Sequence, residues 1–107
     1  MRFTDHPKPP GGIPQSVSLT PDVASWSTAR AALDAAITTW ADGVTDASGD
    51  LSWYSGALGR DVTRDRAMLY THFFNHQTHH RGQIHAMLTA AGARPDDTDL
   101  FAMPALG

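Results

Sequence analysis

The chain has 107 residues, eleven acidic against eight basic, and a net charge of -3. That is enough chain for one small domain, with no basic patch of the kind a nucleic-acid footprint needs. It contains no cysteine and no glutamate. Disulfides, thiolate ligands and the His-Glu-x-x-His zinc-protease motif are therefore excluded, and any carboxylate ligand must be aspartate.

Residues 1–19 read as an irregular arm. Pro7-Lys8-Pro9-Pro10-Gly11-Gly12-Ile13-Pro14 lacks backbone donors at proline and is entropically disfavoured at glycine, so regular helix or strand is not expected. Thr20-Pro21-Asp22 then starts a helix predicted over residues 21–42, with Thr20 as cap and Pro21 in the first helical position. Val23, Trp26, Ala29, Leu33, Ile37, Trp40 and Val44 recur at spacings of three and four and form one apolar stripe. Trp26 and Trp40 are expected in the core. Asp42-Gly43 ends the helix.

Residues 45–60 read as a connection. Thr45 to Asp50 is turn chemistry, Leu51 to Ser55 can form a short extended piece, and Gly56 and Gly59 interrupt it. Trp53 and Tyr54 could line a pocket or pack in a core or interface. A second helix is predicted over residues 61–91, closed by Gly92 and Pro95. Residues 92–107 are a tail whose Leu100-Phe101-Ala102-Met103 packs back loosely. The expected fold class is all-α: two long helices joined by an irregular connection, forming part of a four-helix bundle.

Five of the six histidines fall between residues 72 and 85. At about 100° per residue, His72, His76, His80 and Gln83 share the apolar, inward face with Leu69 and Met87. His79 lies on its flank and His85 points the opposite way. An i, i+4 pair such as His76 and His80 can turn two imidazoles onto one ion. Imidazole donors suit zinc, nickel, iron or copper, so the metal's identity stays open. The competing reading is a set of surface or core histidines with ordinary hydrogen bonds.

The run His72-Phe73-Phe74-Asn75-His76-Gln77-Thr78-His79-His80-Arg81-Gly82-Gln83 resembles the last-helix motif of the DinB family, the DinB/YfiT-like metalloenzymes. Met87-Leu88, Gly92 to Asp96, Leu51 to Tyr54 and Gly59-Arg60 are similar to neighbouring parts of that family. The resemblance implies a four-helix bundle, commonly dimeric. In it a metal is held by one His of the second helix and two of the fourth. By motif position the fourth-helix pair is His76 and His80, while His79 occupies a spacer position. Met1-Arg2-Phe3-Thr4 resembles the segment after the second helix, so the chain is expected to be N-terminally truncated, lacking two helices and their His.

Two functions are therefore expected from the sequence. The one that the resemblance implies is a metal-dependent protein, such as a thiol-dependent transferase or isomerase or a related detoxification or stress enzyme, or a hydrolase, in which a divalent transition metal is held by His76 and His80. His72 and Gln83 would stand behind them, and the substrate would be a small molecule. The alternative is a non-catalytic helical dimerisation module with a structural metal or none. In either case a homodimer is expected, with no nucleic-acid partner. No apolar run reaches the ~20 residues that span a bilayer, so no membrane partner and a cytoplasmic location are expected.

Overall fold

The computed structural model describes residues 3, 4 and 6–102. They fall into two units, Met1–Arg66 and Ala67–Gly107.

In the first unit the Pro/Gly-rich arm is not wholly irregular, because Ile13–Ser18 form a short 3-10 helix with proline in its first turn. Helix α1 follows, over Val23–Asp42. The expected cap at Thr20 is displaced by two residues. Asp22 is the N-cap, its Oδ1 accepting from the Ser25 N–H at 2.7 Å. Carboxylates cap well because they satisfy an orphan amide and oppose the helix dipole. The same amide hydrogen bond holds the Asp22 carboxyl below its ordinary value. Asp22→Ala is expected to lower the melting temperature by about 5 °C. Thermal denaturation followed by circular dichroism checks this, and an unchanged transition would show that α1 does not depend on its cap.

The apolar stripe of α1 exists, but no α1 residue is buried. Trp26 is 54% exposed, which corrects its expected place in a core. Trp40 is half-buried and stacks on Phe3 with ring centroids 5.1 Å apart. On the surface, Arg30 and Asp34 pair at 2.7 Å with one turn between them. Exposed pairs of this kind contribute a few tenths of a kcal/mol at most.

Beyond α1 lies an Asx turn. The Asp46 carboxylate accepts from Ser48 N at 2.9 Å and Ser48 Oγ at 2.6 Å, which holds that carboxyl below its ordinary value. The chain then forms an antiparallel hairpin, β1 (Asp50–Ser55) and β2 (Arg60–Asp65). This overturns the all-α expectation. The protein is mixed α/β, with two α-helices and a two-stranded sheet among the described residues. The extended piece at residues 51–55 is present. The error lies in residues 61–65, which the helical pattern had absorbed into the second helix.

The reason lies in the side chains of this segment and in their pairing with β1. Val62 and Thr63 are β-branched and favour a pleated surface over a helix, and they have partners across the turn. Trp53 pairs with Val62 and Ser52 with Thr63. The second pair is joined by a 2.7 Å hydrogen bond between hydroxyls. Along β1, exposure alternates: Leu51, Trp53 and Ser55 are half-buried and the residues between them are exposed. Val62 is buried. The loop closes at Gly59, whose φ of 65° suits glycine and whose N–H donates to the Ser55 carbonyl at 2.7 Å. At the open end, Arg66 N–H donates to the Gly49 carbonyl and its guanidinium to the Asp50 carbonyl.

Helix α2 spans Arg66–Ala90, five residues shorter at its start than the sequence pattern predicts. Its end is the expected one. Gly92 adopts φ 87°, its N–H donates to the Thr89 carbonyl, and Ala93 N–H donates to the Leu88 carbonyl. This pair of bonds is a Schellman closure. The tail contributes a short 3-10 helix, Leu100–Ala102. Phe101 is 91% exposed, so it does not pack back, and Met103 lies outside the described residues. No helix among the described residues is long and apolar enough to cross a membrane.

Candidate metal centre

Helix α2 carries five histidines and no acidic residue. Its threonine hydroxyls are turned onto the helix itself: Thr71, Thr78 and Thr89 donate to the carbonyls of Ala67, Phe74 and His85.

His76 and His80 lie one turn apart and their rings meet edge to face, with centroids 4.5 Å apart. The two Nε2 atoms are 3.0 Å apart. On its other side, Nδ1 of His80 lies 2.8 Å from the Gln83 Oε1. An amide oxygen only accepts, so His80 carries its proton on Nδ1. Its Nε2 is then a lone pair, and the hydrogen bond between the rings runs from His76 Nε2–H to His80 Nε2.

This arrangement decides what the pair can do. Two nitrogens at ~2.0–2.1 Å from a tetrahedral ion sit roughly 3.3 Å from each other. The observed 3.0 Å is within a small side-chain rotation of that. The His80 lone pair already has the tautomer a metal ligand needs, held there by an acceptor behind the ring. His76 would move its proton from Nε2 to Nδ1. The donor set therefore fits two coordination positions of a borderline ion.

The other expected residues are placed as follows. His72 stacks on His76 at 5.4 Å between centroids, and His79 lies 6.2 Å from His76 and 5.3 Å from His80. The helical angle had set His79 on the flank, yet it joins the imidazole cluster. Gln83 is in contact with the pair. Among the described residues no group of three or more His or Asp side chains is arranged to hold an ion. The inward-facing expectation is corrected. His72, His76, His79, His80 and Gln83 are all exposed, whereas His85, expected outermost, is half-buried. The less exposed side of α2 runs instead through Leu69, Tyr70, Phe73, Gln77 and His85. Arg81, opposite the cluster, reaches Gln77 and Thr78.

Electrostatics agree with a neutral His76. Desolvation among the rings, then the charges of His80, His72 and His79, hold the His76 pKa below its ordinary 6.5. An imidazole that resists protonation near neutrality is free to ligate. Elsewhere, an open depression of about 420 Å³ in the first unit is lined by Phe3, Thr4, Ala35, Ala36, Thr39 and Trp40. It contains no titratable group.

A family model describing the DinB family matches residues 16–105 of the chain. The chain belongs to the DinB family. The match covers both helices, the hairpin and the histidine cluster. Comparisons with curated proteins and with solved structures each gave no match.

Proposed function

We propose that this DinB-family protein binds a divalent transition metal through Nε2 of His76 and Nε2 of His80. The observation that carries this reading is the 3.0 Å approach of the two Nε2 atoms with Gln83 fixing the His80 tautomer. A bound ion would lower the pKa of a water or thiol held beside it. The chain's own part is to hold the two Nε2 atoms beside each other, to fix the His80 tautomer through Gln83, and to leave the pair open to a substrate. This supports, within the family, a metal-dependent enzyme such as a thiol-dependent transferase or isomerase acting on a small molecule. The exposed position of the cluster and its two-donor count favour a second reading, a non-catalytic helical module with a structural ion. Coordination number separates them, because a catalytic site keeps an open position and a structural one does not.

Isothermal titration of zinc or nickel into metal-stripped protein tests the proposal. His76→Ala and His80→Ala should each abolish specific binding, while His85→Ala leaves it intact. Equal affinity in wild type and both variants would remove the assignment. Gln83→Leu should weaken metal affinity by about 10–100-fold, as loss of a group orienting a ligand does, and Gln83→Glu should restore most of it. Unchanged affinity in Gln83→Leu would show that the His80 tautomer needs no acceptor.

A further inference from the structure

A hairpin of two strands has two outer edges, and its register decides what each one presents. Arg66 N–H donates to the Gly49 carbonyl, so positions 49 and 66 form a hydrogen-bonded pair. Hydrogen-bonded and non-hydrogen-bonded pairs alternate along an antiparallel ladder. Leu51, Trp53 and Ser55 therefore turn their N–H and C=O groups toward β2, while Asp50, Ser52 and Tyr54 turn theirs outward. The 2.7 Å approach of the Ser52 and Thr63 hydroxyls agrees, because side chains stand closest at non-hydrogen-bonded pairs.

The two edges differ. On β2 the Thr63 carbonyl already accepts from the Arg64 guanidinium at 2.7 Å, and four of the six residues are charged. Charges along a strand guard an edge against pairing. β1 has no such guard beyond Asp50, whose carbonyl accepts from Arg66. Its residues 51–55 include no charge and no proline. Among the described residues β1 has one neighbour, β2. We propose that the β1 edge is a strand-addition site. It takes an extended peptide segment of alternating basic and apolar residues through the backbone N–H and C=O groups of Ser52 and Tyr54.

The charge pattern of the sheet selects that occupant. One face carries Asp50, Asp61 and Asp65 beside Ser52 and the exposed Tyr54. The other carries Arg60 and Arg64 beside Leu51 and Trp53. An added strand lies about 5 Å from β1 and about 10 Å from β2. Lysines on its first face then stand beside Asp50 and about one Debye length from Asp61 and Asp65. Its second face meets Leu51 and Trp53, where apolar side chains suit and basic ones would face the two arginines. A second copy of β1 fits this edge less well. Two β1 strands related by a two-fold axis would merge their acidic faces into one.

The test is amide NMR of the full chain titrated with an acetylated, amidated Lys-Val-Lys-Val-Lys-Val peptide. The Ser52 and Tyr54 N–H signals should shift and become protected from exchange, while those of Asp61 and Thr63 keep their exchange rates. A Glu-Val-Glu-Val-Glu-Val peptide should bind at least about ten-fold more weakly. Ser52→Pro removes an outward N–H and leaves the bonds to β2 in place, and it should weaken the lysine peptide by about ten-fold. Asp61→Asn leaves the edge intact, so it should weaken binding less, and that loss should disappear at high salt. Unshifted Ser52 and Tyr54 signals, or equal affinity for the two peptides, overturns the proposal. A chain doubled in mass at sedimentation equilibrium, with these two amides protected before peptide is added, also overturns it, because a second copy then holds the edge.

Discussion

Adding zinc to the metal-stripped protein should raise its melting temperature by roughly 10–20 °C when free metal stands at about 100 times its Kd. The argument is linkage. An ion that binds the folded chain and not the unfolded one stabilises by about 2.7 kcal/mol at that concentration. The proposed ligand pair exists only when one helical turn sets His76 and His80 side by side, and the unfolded chain has no such turn. In a chain whose described residues bury two hydrophobic side chains, Val62 and Leu69, an added 2.7 kcal/mol is a large share of stability. Chelator should reverse the rise. A melting temperature indifferent to zinc and to chelator at neutral pH would contradict it.

Proton linkage acts in the same direction. The folded chain lowers the His76 pKa from 6.5, so it binds a proton there less readily than the unfolded chain does. The contribution is fully present above the unfolded value near 6.5 and is lost as pH falls through the folded value. Metal-free protein should therefore melt progressively lower as pH drops from about 6.5. The zinc-dependent rise should vanish over the same range, because protons and metal compete for the same lone pairs. A zinc effect that survives well below that range would place the ion on ligands other than histidine.

The second large effect is expected at Leu69. It is 4% exposed and lies in the first turn of α2, close behind the hairpin in sequence. Leu69→Ala removes buried methyl groups and leaves a cavity, at about 2–5 kcal/mol. For a marginally stable small chain that is most of the folding free energy. Urea denaturation should show the midpoint moved to a much lower urea concentration. Met68→Ala, one position away at a residue 45% exposed, should shift the midpoint only slightly. Equal effects at the two positions would show that the burial of Leu69 does not matter.

The residues themselves explain which parts of this structure were legible in sequence. Gly92 ends α2 as predicted because a left-handed position after the last turn is a local demand that glycine meets. α1 also ends at Asp42-Gly43 as predicted, although Gly43 keeps a right-handed φ of -86° and no left-handed position calls for glycine there. The hairpin was half visible. Leu51 to Ser55 has alternating character, but its partner strand Arg60–Asp65 was hidden because pairing is not local. Without Thr63 and Val62 opposite Ser52 and Trp53, the segment Asp61 to Asp65 is simply free of breakers and joins the helix that follows.

The histidine site divides the same way. That His76 and His80 approach each other follows from the pitch of one helix, so spacing was enough. Which side of α2 is buried does not follow. Apolar residues encircle it, and Met68, Phe74, Ile84, Met87 and Leu88 are all among the exposed large hydrophobics. Angle alone therefore chose the histidine side as inward, and the structure turned it outward. The role of Gln83 needed side-chain coordinates, since only the contact with Nδ1 of His80 shows which nitrogen is left for an ion.

Imidazole nitrogen NMR of the zinc-loaded protein tests the central claim most directly. The Nε2 resonances of His76 and His80 should move together into the range of metal-bound nitrogen, with Nδ1 of both rings protonated. His85 and His6 should stay where they are in the metal-free protein. Zinc that shifts His85 or His6 instead, or that leaves the Nε2 signals of His76 and His80 unmoved, would contradict the metal centre proposed above.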